Sequence, residues 1–89
     1  MDNSNIANPK PSQLVIYSTS WCPDAKRSKA LLDIHNIDYL DIDIGKNNDA
    51  YIFIEKLTRR VRIPTIIFPD GSILIEPDDV LLCKQLEVV

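Results

Sequence analysis

Glycine and cysteine are both scarce, two of each in 89 residues. So little glycine excludes a collagen-like or low-complexity chain. Two cysteines 61 positions apart, Cys22 and Cys83, cannot build the disulfide framework of a small secreted scaffold. No run approaches the ~18–20 apolar residues of a membrane span. The opening Met1-Asp2-Asn3-Ser4-Asn5-Ile6-Ala7-Asn8 has neither the basic nor the apolar stretch of a secretory signal. The expectation is a cytoplasmic protein with no membrane partner. Basic charge is also short: 10 Lys and Arg face 13 Asp and Glu, a net charge of −3. That argues against nucleic acid as a partner. The rest, 45% hydrophobic and 26% charged, suits one soluble domain.

Residues 1–12 are polar, carry Pro9 and Pro11, and read as a flexible lead-in to a domain over 13–89. Gln13-Leu14-Val15-Ile16-Tyr17 is a short apolar run with the length of a buried strand. A helix follows from Pro23, which suits a first turn, to about His35, with Asn36 as its stop. Ala30, Leu31 and Ile34 are its expected apolar face. Residues 39–44 alternate, with Leu40, Ile42 and Ile44 on one side, as in a strand with one polar face. Asn47 or Asn48 then caps a helix whose Ala50, Phe53, Ile54 and Leu57 share a face. Pro69-Asp70-Gly71 turns a hairpin between strands at 65–68 and 72–75. Asp78 or Asp79 starts a last helix with a stripe of Leu82, Leu86 and Val89. The order β-α-β-α-β-β-α predicts an α/β fold: a four-stranded mixed sheet flanked by helices. Its first two strands are parallel through a right-handed crossover.

Cys22 stands where the first strand ends and the first helix begins. The free N–H groups and dipole of a helix start favour an anion, and the thiolate is the nucleophilic form of cysteine. Lys26, Arg27 and Lys29 add positive potential, which Asp24 partly opposes. Cys22 is therefore the candidate nucleophile, expected to be accessible rather than buried. Cys83, beside Leu82 and Leu86, reads as buried and inert.

Tyr17-Ser18-Thr19-Ser20-Trp21-Cys22-Pro23, then Ile63-Pro64-Thr65, then Pro69-Asp70-Gly71-Ser72 together resemble the glutaredoxins of the thioredoxin superfamily. The pattern is closest to the small bacterial glutaredoxin-like proteins of the mycoredoxin type. The resemblance spans about residues 13–89. It implies the thioredoxin fold and thiol-disulfide exchange, with no bound cofactor and with a small thiol such as glutathione as co-substrate. It implies partners that are disulfide-containing or thiolated proteins, and a monomeric chain. It also implies a cis Pro64 against Cys22, with the Ile63 backbone pairing with the bound thiol. Trp21, Pro23, Lys26, Arg59, Arg60, Arg62, Ile63, Pro64 and Thr65 then form the substrate surface. Asp78 or Asp79 meets the amino group of the small thiol.

The sequence departs from the family in two places. The usual Cys-x-x-Cys is here Cys22-Pro23-Asp24-Ala25. Without a second thiol at position 25 a mixed disulfide cannot be resolved internally, which leaves a monothiol route. Ala25 is compatible with a native single-cysteine member, a Cys→Ala trap of a dithiol reductase, or a binding module without turnover. The iron–sulfur-carrying subclass, with Cys-Gly-Phe-Ser, is a poorer match because Pro23 and Asp24 fill the middle positions. The glutathione-binding pattern is also incomplete. Thr19 replaces the usual lysine before the motif, and Ile75-Glu76-Pro77 replaces a Gly-Gly pair.

Lys56, Arg59, Arg60 and Arg62 end the second helix near Pro64. With Lys26, Arg27 and Lys29 they either draw anionic thiols or acidic partner surfaces, or form a solvated helix end whose cations complement the dipole. Asp38, Asp41 and Asp43 read as a solvent face, not a metal site. His35 lies about 20 Å along the helix from Cys22, too far to act as its base.

Overall fold

The computed structural model describes residues 11–86. Its elements are β1 (Leu14–Ser18), α1 (Pro23–Ile34), β2 (Tyr39–Asp43), α2 (Asn48–Thr58), β3 (Thr65–Ile67), β4 (Ile73–Ile75) and α3 (Asp79–Leu86). This is the expected order. Ten of the twelve residues expected as a lead-in, 1–10, lie outside the described residues, as does Val89 of the last stripe.

The strands form one sheet in the order β2-β1-β3-β4. β1 and β2 are parallel, from Leu14 opposite Tyr39 to Ser18 opposite Asp43. β3 runs antiparallel to both β1 and β4. β1 holds a central place because its side chains are apolar on both faces, which only a strand covered on both sides can satisfy. Leu14 and Ile16 pack with Leu32 of α1, Ile66 of β3, Phe68 and Leu82 of α3. On the other face Tyr17 and Ile42 pack with Ile44, Ala50 and Ile54. So α1 and α3 cover one face and α2 covers the other.

Of the expected apolar face of α1 only Leu31 packs against the core, and the fully buried line lies elsewhere. Ala25, Ser28 and Leu32 are buried, while Ile34 is 73% exposed and Ala30 is exposed. The residues at i, i+3 and i+7 include two small ones, which carry little hydropathy signal. The helix ends in a Schellman motif: Asn36 N–H donates to Asp33 O (3.1 Å) and Ile37 N–H to Leu32 O (2.9 Å). Asn36 supplies the left-handed residue, φ 58°. The turn delivers Ile37 back to the core beside Leu32, so Ile34 is not needed there. Asn36→Ala is expected to cost about 1 kcal/mol and Asn36→Gly to hold or raise stability, read from urea midpoints.

α2 follows the sequence pattern. Asn47 Oδ1 accepts the Ala50 N–H at 3.0 Å, and Ala50 and Ile54 are buried. Phe53 sets its ring 5.5 Å from that of Tyr17. Ile42 of β2 and Ile44 just after it join this core, but Leu40 does not. β2 is an edge strand, and Leu40 stays 45% exposed. Asp41 and Asp43 are not simply a solvent face. Asp41 binds Lys29 at 2.9 Å and accepts from Ser18 Oγ at 3.4 Å, and Asp43 Oδ1 accepts the Gly45 N–H at 2.8 Å.

The hairpin closes as its Pro-Asp-Gly triplet requires. Gly71 N–H donates to Phe68 O (2.9 Å), Gly71 takes φ 93°, and Phe68 N–H reaches Ser72 O (2.9 Å). Asp78 caps α3 by accepting the Leu81 N–H at 2.8 Å. Leu82 is the buried residue of α3, and Cys83 is only half-buried, in contrast to the expected burial. One residue on is about 100° of helix rotation, which turns Cys83 off the line of Leu82 and Leu86.

Candidate active site

Cys22 is the residue before α1, in extended conformation (φ −80°, ψ 115°), and Pro23 opens the helix. Its backbone N–H donates to Thr19 O at 3.4 Å, and its carbonyl receives the Lys26 N–H at 3.1 Å. The side chain makes no capping bond. Sγ is therefore not committed to the helix start, and what α1 contributes to it is the field of its N-terminus.

Cys22 is 7% exposed, against the expectation of an openly accessible thiol. It sits in the wall of a cavity of about 350 Å³. From the β1–α1 connection the lining residues are Thr19, Trp21 and Cys22. Ile44 and Gly45 come from the turn after β2, Tyr51 from the first turn of α2, and Val61 and Ile63 from the loop before β3. Trp21 is 73% exposed, so it forms an outer lip. Access to the thiol is through this cavity.

Of the residues expected at the site, the cavity brings together Cys22, Trp21 and Ile63. Pro64 and Thr65 are buried and do not line it. The Ile63–Pro64 peptide is cis, Pro64 is fully buried, and Thr65 Oγ1 donates to Arg62 O at 2.7 Å. The Glu76 N–H takes the Pro64 carbonyl at 2.8 Å. Pro23 is exposed at the start of α1.

The charges are arranged differently from the sequence expectation. Arg27 lies 3.0 Å from Asp24 and 3.2 Å from Asp79, and Lys29 lies 2.9 Å from Asp41. Arg62 Nε lies 3.9 Å from Glu76. Three of the seven cations assigned to the neighbourhood of Cys22 are thus neutralised locally. Lys26, Lys56, Arg59 and Arg60 make no ion pair among the described residues, but none of them lines the cavity. Asp78 caps α3 through one carboxylate oxygen, and Asp79 pairs with Arg27 at the surface. Arg59 has its own backbone task. It ends α2 in the left-handed region, φ 69°, where the buried Thr58 Oγ1 meets the carbonyls of Ile54 and Arg60. Burial pushes the Tyr17 phenol above its ordinary pKa, so it brings no charge to this face at neutral pH.

Ile44, Gly45, Tyr51 and Val61 were not legible as site residues, because they come from separate segments that only the fold joins. Gly45 carried a usable signal. It is one of two glycines, and a Cβ there would stand 3.1 Å from Asp43 Oδ1. Among the described residues there is no group of three or more His, Cys, Asp or Glu that could hold a metal ion. Among them, too, no helix is long and apolar enough to cross a membrane.

The comparisons with known proteins agree with this geometry. The family model described as Glutaredoxin matches residues 14–73. A Mycobacterium tuberculosis protein named provisionally as a glutaredoxin, Rv3198A, is 40% identical over 65 residues, covering 72% of this chain and 77% of that one. A glutaredoxin-like 8.6 kDa protein of the Clostridium pasteurianum rubredoxin operon is 32% identical over 72 residues, covering 81% and 95%. The crystal structure of a glutaredoxin from Archaeoglobus fulgidus superposes with a TM-score of 0.73 at 16% identity, covering 97% of this chain and 96% of that one. That last likeness shows the fold.

Proposed function

Because the chain belongs to the glutaredoxin family, we propose that it is a thiol-disulfide oxidoreductase that reduces mixed disulfides by a monothiol route with Cys22 as nucleophile. The observation that carries this reading is the position of Cys22. Its thiol is uncommitted, lies at the start of α1, and faces the loop that leads to cis Pro64 across one cavity.

The Cys22 thiolate attacks the small-thiol sulfur of a mixed disulfide. The S–S bond of the substrate breaks, and the departing polypeptide thiolate takes a proton. A disulfide between Cys22 and the small thiol forms. A second small thiol, as thiolate, attacks that disulfide and frees Cys22. One polypeptide thiol is gained and two small thiols leave as their disulfide, so electrons balance. Trp21 and Ile63 flank the sulfurs. Lys26, Arg59 and Arg60 supply a long-range positive field to anionic substrates, weaker than the sequence suggests because Arg27, Lys29 and Arg62 are paired. No bound cofactor enters the cycle, and the chain acts as a cytoplasmic monomer.

Reduction of a glutathionylated peptide by excess glutathione tests the reading. Turnover above the uncatalysed background supports it. No turnover, with Cys22 still readily alkylated, instead supports a binding module. Ala25 is fully buried one turn into α1. Ala25→Cys is expected to add an internal disulfide with Cys22 on oxidation, detected by mass and by loss of alkylation. It should also allow reduction of protein disulfides without a second small thiol.

A further inference from the structure

Two buried hydroxyls among the described residues have no hydrogen-bond partner, Thr19 Oγ1 and Ser28 Oγ. The other buried hydroxyls are used: Ser18 on Asp41, Thr58 on the Ile54 carbonyl and Thr65 on the Arg62 carbonyl. An unpaired buried polar group destabilises a fold, so each one calls for a role. Ser28 lies in the buried line of Ala25 and Leu32 and does not line the cavity at Cys22. Thr19, 7% exposed, does line it. Two local uses are open to its hydroxyl, and it makes neither. The Thr19 carbonyl accepts the Cys22 N–H at 3.4 Å, so the two residues begin and end one turn. A hydroxyl at the first position of a turn can accept the N–H two residues on, here that of Trp21. It could also donate to Cys22 Sγ. Thr19 Oγ1 bonds to neither.

We infer that Thr19 is a second catalytic residue: its hydroxyl donates a hydrogen bond to the substrate sulfur that leaves as thiolate when Cys22 attacks a mixed disulfide. The inference rests on the oxidoreductase reading above and deepens it by naming the group that meets the leaving sulfur. In the exchange, negative charge passes from the attacking sulfur to the departing one while the middle sulfur changes partners. Cys22 Sγ already has the field of the α1 N-terminus. The departing sulfur has no such support, because no Lys, Arg, Asp or Glu lines the cavity. Thr19 supplies an uncharged donor there. Tyr51, the other hydroxyl of the lining, is 40% exposed and hydrated, so water already meets its bonding needs. The Thr19 bond is absent in the free protein and forms as charge reaches the leaving sulfur. Its energy therefore lowers the barrier instead of holding the free thiol. The substrate S–S bond breaks, its electron pair goes to the leaving sulfur, and Cys22 Sγ bonds to the sulfur left behind. Thr19 keeps its proton, and the departing thiolate takes one from water.

The test varies the leaving group. Two mixed disulfides of 2-mercaptoethanol are used, and transfer of the 2-mercaptoethanol half to Cys22 is followed in single turnovers, by acid quench and mass spectrometry. In one the leaving half is 2-phenylethanethiol, an alkyl thiol whose charge stays on sulfur. In the other it is 4-nitrothiophenol, whose ring spreads the charge and makes it a better leaving group. Thr19→Val removes the hydroxyl and keeps the shape. It is expected to slow transfer about tenfold or more with the alkyl leaving group, the effect of one hydrogen bond to a charged acceptor, and by less than about threefold with the aryl one. Thr19→Ser keeps the hydroxyl and should stay within about threefold of the parent on both. Because the hydroxyl is unpaired in the free protein, the urea midpoint of Thr19→Val should be no lower than the parent's. An equal loss with both leaving groups overturns the inference, since the hydroxyl then acts on Cys22 or on the shape of the site. Unchanged rates in Thr19→Val overturn it as well, and so does a lowered midpoint, which would mean that the hydroxyl is paired within the fold. If the parent protein transfers nothing from either disulfide, the oxidoreductase reading itself fails and the inference falls with it.

Discussion

Cys22→Ser is expected to lower mixed-disulfide reduction by roughly a thousandfold or more, to the uncatalysed background. A serine hydroxyl keeps the side chain's shape but is not ionised near neutral pH, and exchange proceeds through the thiolate. No internal thiol can take over. Position 25 is Ala25, and Cys83 lies on α3, which contributes no residue to the cavity. Cys83→Ser is accordingly expected to leave the rate within about twofold, since the half-buried Cys83 does not line the cavity. The pair of variants separates the two cysteines in one assay. Because Cys22 makes no side-chain cap bond, the serine should leave the urea midpoint within about 0.5 kcal/mol of the parent. A large loss of stability would move the interpretation from chemistry to folding.

Ile54→Ala is the second large effect, and it acts on the fold that positions the site. Ile54 is fully buried on α2 and packs in the core formed with Ile44, Ala50, Tyr17 and Val61. Its removal leaves a cavity that this small core fills poorly, at a cost of about 2–5 kcal/mol. A domain of this size has a total stability of the order of 5–10 kcal/mol, so a large part of it is at stake. The same helix brings Tyr51 to the cavity at Cys22, and the same core carries Val61 and Ile63. The variant should therefore lose guanidinium midpoint with an unchanged slope, and at low temperature, while still folded, show a raised KM on peptide substrates. A drop in kcat alone would mean that α2 does not form the substrate wall.

Much of the fold was legible because its signals were local. Leu14 to Tyr17 is a continuous apolar run, and it became the strand covered on both faces. Asn47, Asp78 and the Pro69-Asp70-Gly71 triplet carry their turn and cap chemistry in their own side chains and φ preferences, and each sits where that chemistry is used. The face of α1 was less legible. Its packing line runs through Ala25 and Ser28, whose small side chains leave no hydrophobic period to read. At the site, Cys22 and Trp21 stand next to each other in sequence, and the proline loop has its own motif. Tyr51, Ile44 and Gly45 join them only through the parallel pairing of β1 with β2 and the packing of α2. The charges misled for a related reason. Sequence places seven cations near one cysteine, but the carboxylates that neutralise Arg27, Lys29 and Arg62 come from α1 itself, from β2, from the turn after β4 and from the start of α3.

The most direct measurement of the central claim is to map the intermediate. The protein is mixed with a stoichiometric glutathionylated peptide, without free glutathione, quenched in acid, and digested for mass spectrometry. Monothiol exchange at Cys22 predicts one glutathionyl group on the fragment that carries Cys22, one equivalent of released peptide thiol, and no adduct on the fragment that carries Cys83. A glutathionyl group on Cys83 alone, or no transfer to either cysteine while the peptide stays glutathionylated, would contradict it.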